Sequence, residues 1–140
     1  MRLLLAAATA LVLIPSAASA ADWFRILEGP GATWYLDADS IQRNGDWTRY
    51  EQFAVYDEVS RGGIKTVSAI MEIDCGRRKY RLARFTSFRA DGVQVDALDD
   101  PENGAEHDNT PGSAIDVAMK FVCDNDRSAE RVADPRAPTP

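Results

Sequence analysis

The sequence predicts an α+β domain in which about six short antiparallel strands precede one C-terminal helix, packed on one face of the sheet and tethered to it by a disulfide. Three observations predict this. Runs of aromatic and β-branched residues are separated by Gly, Pro, Asn and Asp clusters at hairpin spacing. Only Ala114 to Cys123 carries helical periodicity. The two cysteines, Cys75 and Cys123, each close an apolar row, one on a strand and one on that helix.

The elements follow in order. Trp23 to Leu27 forms a first strand, closed by Gly29-Pro30-Gly31, and Thr33 to Asp37 a second. Asp37 to Ile41 makes a polar corner before Asn44-Gly45. Trp47 to Val59, rich in aromatic and branched side chains, is a long third strand. Arg61-Gly62-Gly63 turns the chain into Lys65 to Asp74, the clearest alternation. There Val67, Ala69, Met71, Ile73 and Cys75 share one face, and Thr66, Ser68, Glu72 and Asp74 the other. Lys79 to Ala90 is a fifth strand, and Asp91-Gly92 leads by a tight turn into a sixth, Val93 to Ala97. Asp99 to Gly112 has no periodicity and is a loop. Ser113 caps the helix, whose apolar side carries Ile115, Met119, Val122 and Cys123, with Asp116 and Lys120 on other sides.

Facing apolar rows imply a Cys75–Cys123 bond. The cysteines form no Cys-x-x-Cys pair and neither opens a helix, so a structural bond fits them better than a redox pair. The first twenty residues read as a secretory signal: basic Arg2, an apolar run from Leu3 to Ile14, and small residues ending Ala18-Ser19-Ala20. The run is too short to span a membrane, where about 20 residues are needed. Cleavage after Ala20 leaves no cysteine at the new terminus to accept a lipid. The organisation expected is a signal peptide over 1–20, one domain over 21–124, and a disordered tail over 125–140, poor in apolar residues and rich in Pro and charge. Export to the periplasm or beyond puts the cysteines in an oxidising compartment.

The 140 residues carry 16 Lys plus Arg against 22 Asp plus Glu, a formal charge of -6. Such a balance argues against nucleic acid as a partner. Two cysteines and one histidine are too few for a closed zinc site. Asp37, Asp39 and Ser40 fit a turn better than a metal site. The acidic loop fails the calcium-loop pattern because Pro101 stands at the third ligand position. His107, with Asp108, Thr110 and Ser113 nearby, forms no recognised catalytic motif. No catalytic, cofactor-binding or metal-binding residue is therefore assigned, and no cofactor is expected.

Charge is segregated along the chain. Arg77, Arg78, Lys79, Arg81, Arg84 and Arg89 are followed by Asp96, Asp99, Asp100, Glu102, Glu106 and Asp108. The two runs either neutralise one another or leave a basic stripe for an acidic partner, with Arg77, Arg78, Lys79 and Arg81 as the candidate partner-binding residues. Nine aromatic residues between Trp34 and Phe88 supply a sheet with two faces, and one short helix cannot cover both. The surplus apolar surface calls for a partner, a second copy included.

Trp23, then Tyr35-Leu36-Asp37 with Ser40-Ile41, Val67-Ser68-Ala69, Asp74-Cys75 with Arg77, Arg78 and Arg81, and Pro111-Gly112-Ser113 leading into Phe121-Val122-Cys123, resemble the surface-adhesin protein E family in order and spacing. The resemblance implies a curved sheet with the helix tethered to its concave face. It also implies a role at the bacterial envelope, as for a lipid-anchored member that binds host matrix proteins and dimerises. This chain departs from that member in having no lipidation cysteine. The expected function is that of a non-enzymatic exported envelope protein binding a host matrix or envelope protein. The alternative is a periplasmic accessory protein with no ligand beyond self-association.

Overall fold

Turn chemistry divides the chain into a meander. The computed structural model describes residues 21–137. Strands β1 (Trp23–Gly29), β2 (Ala32–Asn44), β3 (Trp47–Tyr56), β4 (Ile64–Asp74), β5 (Lys79–Arg89) and β6 (Gln94–Asp99) each pair antiparallel with the next. The turn into β6 needs glycine, because Gly92 sits at φ +80°. Asp91 supports that turn by accepting from the Val93 N–H. The signal-peptide expectation for residues 1–20 lies outside the described residues.

The sheet has eight strands rather than about six. The sixth, expected over Val93 to Ala97, runs instead through Asp99. Within the expected loop, β7 (His107–Asp108) pairs with Lys79 and Tyr80 of β5. The segment after Asp124, expected to be disordered, forms β8 (Glu130–Val132) on the free edge of β1. An edge strand leaves backbone donors and acceptors unpaired, and a short polar segment can satisfy them without an apolar face of its own. Ion pairs Arg25–Glu130 and Arg131–Asp22 flank β8, and the Arg136 guanidinium lies 4.7 Å from the centre of the Trp23 ring. The order across the sheet is β6-β5-β4-β3-β2-β1-β8.

Two irregularities re-aim side chains. The polar corner expected after Asp37 is absorbed inside one continuous β2, whose register on β3 shifts between Asp37 and Gln42. Ser40 Oγ donates to the Asp37 carbonyl at 2.6 Å and accepts from the Glu51 N–H at 2.7 Å, while the Asp39 N–H donates to Asp37 Oδ1. In β5 the register steps from Arg84 to Leu82 opposite Ile70 and Met71, so Ala83 bulges out.

Helix α1 (Ala114–Cys123) begins at its expected cap, where Ser113 Oγ accepts from the Asp116 N–H. The helix covers one face of the sheet. Ala114, Ala118, Met119 and Phe121 are buried there with Leu36, Tyr50, Met71 and Ile73. The buried stripe is thus rotated from the expected one: Ile115 and Val122 are only half-buried, and Asp116, expected on another side, is 5% exposed. The cause is local, since three donors close over its carboxylate. Cys75 and Cys123 are bonded, with Cα atoms 5.5 Å apart, at the ends of β4 and α1.

Candidate functional site

Arg77, Arg78, Lys79, Arg81 and Arg84 of the basic run are each paired with an acid, and among the described residues Arg89 forms no ion pair. Arg77 donates to Asp74 at 2.7 Å and to both oxygens of Glu106, Arg78 pairs with Asp124 at 2.9 Å, and Lys79 with Asp108 at 2.6 Å. Arg84 meets Asp99 at 3.4 Å. Antiparallel pairing of β5 with β6 and β7 brings Arg84 to Asp99 and Lys79 to Asp108, while Arg78 meets Asp124 at the end of α1, so most of the stripe is neutralised within the chain.

Arg81 is more deeply committed. Its Nε donates to Glu72 at 2.6 Å, and Arg49 donates to the other oxygen of the same carboxylate, which is 4% exposed. Trp47 lies under two guanidinium groups, Arg81 at 4.2 Å and Arg77 at 5.4 Å from the ring centre. Burial pushes the Glu72 carboxyl up, but hydrogen bonds from Arg81 and Arg49 outweigh it and hold the group below its ordinary range. Trp47, Glu72 and Arg81 stand on three adjacent strands, β3, β4 and β5. Their convergence required the register.

A second charged cluster supports the helix start. Asp116 accepts from Lys120 Nζ at 2.8 Å, from the Gly112 N–H at 3.0 Å and from Asn109 Nδ2 at 2.7 Å, which together hold its carboxyl well below the usual range. Arg77 lowers both Asp74 and Glu106 in the same way. A carboxylate depressed in the folded state contributes stability that is present above its unfolded pKa, about 4, and is lost as pH falls through the folded value. The urea midpoint should therefore hold from pH 7 to about 5 and fall progressively below about 4. Asp116→Asn should flatten that fall, and a wild-type midpoint unchanged at pH 3 would count against the assignment.

His107 is held more firmly than a loop histidine: it belongs to β7, stacks on Tyr80 at 5.2 Å between ring centres, and its Nε2 lies 2.7 Å from Glu102. The other groups of a hydrolytic set are dispersed, with Asp108 on Lys79 and Ser113 at the helix cap. Among the described residues no three His, Cys, Asp or Glu side chains converge to hold a metal ion.

The helix leaves part of its own face of the sheet uncovered. A groove of about 270 Å³ opens there, floored by Trp34, Ala54, Val67, Ala69, Leu82 and Phe85, with Glu102 and His107 on one wall. The floor is the continuation of the β4 alternation beyond Met71, where α1 ends its cover. This is the surplus apolar surface expected from one short helix on a broad sheet.

A disulfide-stapled antiparallel sheet, one covering helix and an open apolar half define a small α+β module of the kind built to hold a shape in an oxidising compartment. The chain belongs to the surface-adhesin protein E family, whose sequence profile matches residues 23–124. Crystal form II of Haemophilus influenzae protein E is similar over 83% of this chain and 98% of its own, at 17% identity and a TM-score of 0.52. Protein E from non-typeable Haemophilus influenzae matches over 82% and 84% at 17% identity and a TM-score of 0.49. No curated protein matches the chain significantly. The family is one of surface adhesins, which implies an exported protein, and no helix among the described residues is long and apolar enough to cross a membrane.

Proposed function

We propose that this is a non-enzymatic envelope protein that holds a macromolecular partner, a host matrix or envelope protein, on the uncovered part of its helix face. The observation that carries this reading is the groove over Val67, Ala69, Leu82 and Phe85, apolar surface that the fold exposes and the helix leaves open. Arg77, Arg78 and Lys79 precede Tyr80, which lines the groove, and contribute from outside its lining. Arg78 and Lys79 are paired with the exposed acids Asp124 and Asp108, which an acidic partner surface can replace at little cost, whereas Arg77 can exchange its exposed partner Glu106 but keeps the buried Asp74. Arg81 is tied to the buried Glu72 and serves the fold. The protein acts after removal of residues 1–20, periplasmic or secreted and without a lipid anchor.

Immobilised matrix proteins and an envelope extract, probed with wild type and Leu82→Lys, test the reading. Wild type should be retained, and Leu82→Lys should weaken retention about tenfold, the scale of one apolar side chain lost from an interface, with the circular dichroism unchanged. Retention insensitive to Leu82→Lys would remove the groove from the function. Absence of any partner together with concentration-dependent self-association would favour the accessory-protein reading.

A further inference from the structure

The face opposite the helix carries a second groove, larger than the first at about 530 Å³. Its floor is Phe53, Val55 and Phe88, brought together because Val55 stands opposite Thr66, and Thr66 opposite Phe88. One wall is the C-terminal segment Pro135 to Ala137. That wall is anchored: Arg136 stacks on Trp23 and pairs with Asp134 at 3.0 Å and Glu51 at 3.5 Å.

The rim is basic. Lys65, Arg89 and Arg136 line the groove against one carboxylate, Glu51, which also accepts from Ser68. Among the described residues no carboxylate forms an ion pair with Lys65 or Arg89. Lys65 Nζ donates to the carbonyls of Tyr56 and Asp57, which orient the ammonium without cancelling its charge. In a chain whose formal charge is -6, and in which Arg77, Arg78, Lys79, Arg81 and Arg84 are already matched by acids, this is a local excess of positive charge over an apolar floor.

We propose that this groove docks an acidic peptide segment of a partner protein, an aromatic or aliphatic side chain on Phe53 and Phe88 and its carboxylates on Lys65 and Arg89. Charge complementarity at short range selects the acid, and the ring floor selects the anchor. A peptide of a few residues meets only the groove. An anionic bilayer would also meet the acids of the surrounding surface, which repel it. The site lies on the opposite face from the groove of the proposed function, so the two can fail separately.

The test is an NMR titration of the protein with a terminally blocked hexapeptide of alternating glutamate and phenylalanine, beside the counterpart with lysine for glutamate. The expected result is shifts at the amides of Thr66, Ser68, Phe88 and Ala90, no shifts with the lysine peptide, and weakening in high salt. Arg89→Glu, at an exposed side chain, should weaken binding about tenfold. Lys65→Glu should weaken it further, while Leu82→Lys on the helix face should leave it unchanged. Equal binding of the lysine peptide, shifts confined to the Trp34 and Leu82 face, or binding to phosphatidylglycerol vesicles with none to the acidic peptide would each overturn the proposal.

Discussion

Replacing Cys75 and Cys123 together by serine is expected to lower stability by about 4 kcal/mol in equilibrium urea unfolding. The bond closes a loop with a sequence separation of 48, and the chain-entropy model gives that magnitude for such a loop. A domain of this size holds about 5–15 kcal/mol in total, so the variant should sit near the edge of folding. The loss should be felt first at the helix. The bond joins its C-terminal end to the end of β4, while the rest of α1 relies on packing and on the Ser113 and Asp116 contacts at its start. Loosening α1 uncovers Tyr50, Met71 and Ile73 and extends the open apolar face. A hydrophobic dye should therefore bind the double-serine variant more strongly than wild type. A stability change below about 1 kcal/mol would mean that the bond adds nothing to a sheet and helix already well packed, against the loop-entropy expectation.

Phe121→Ala should cost about 3–5 kcal/mol, the range for deleting a fully buried aromatic side chain. Its ring is 1% exposed, lies 4.8 Å from the centre of Phe24 on β1, and has the Arg127 guanidinium 3.9 Å from its own ring centre. Arg127 also donates to the Phe121 carbonyl, so one residue joins the helix, the first strand and the segment leading to β8. The control is Phe121→Leu, which keeps most of the volume and should cost less than about 1.5 kcal/mol. Because both changes undock the same helix, adding Phe121→Ala to the double-serine protein should cost less than the sum of the two separate losses. Strict additivity would show that the ring and the disulfide hold different parts of the molecule.

The elements read correctly from the sequence are those whose cause is local. Alternation from Lys65 to Asp74, the Asp91-Gly92 turn and the Ser113 cap each depend on a few neighbouring residues, and the structure places a strand, a turn and a helix start there. Pairing of the cysteines followed from two such patterns, each with its cysteine at the end of an apolar row. The surplus of apolar sheet over one short helix was also legible, as a comparison of what needs cover with what supplies it.

Where the sequence was misread, the cause lies in edges and partners that exist only after folding. β7 and β8 are two and three residues long, too short to show a period, and they form because β5 and β1 present unpaired backbone groups. Asp116 is buried because Asn109, Gly112 and Lys120 converge on it; its own position in the helical repeat pointed elsewhere. The basic run was read as either a stripe or a neutralised strand, and the register of β5 against β4, β6 and β7, with the docking of the helix end beside Arg78, decided for pairing. By itself, then, the sequence determined the meander, the capped helix, the disulfide and the excess of apolar surface. The tertiary structure alone decided which charges are matched and where open grooves remain, because these depend on groups far apart in the chain meeting across a sheet, and it decided which side of the helix is buried, because the donors that close over Asp116 come together only when the segment before the helix is folded against it.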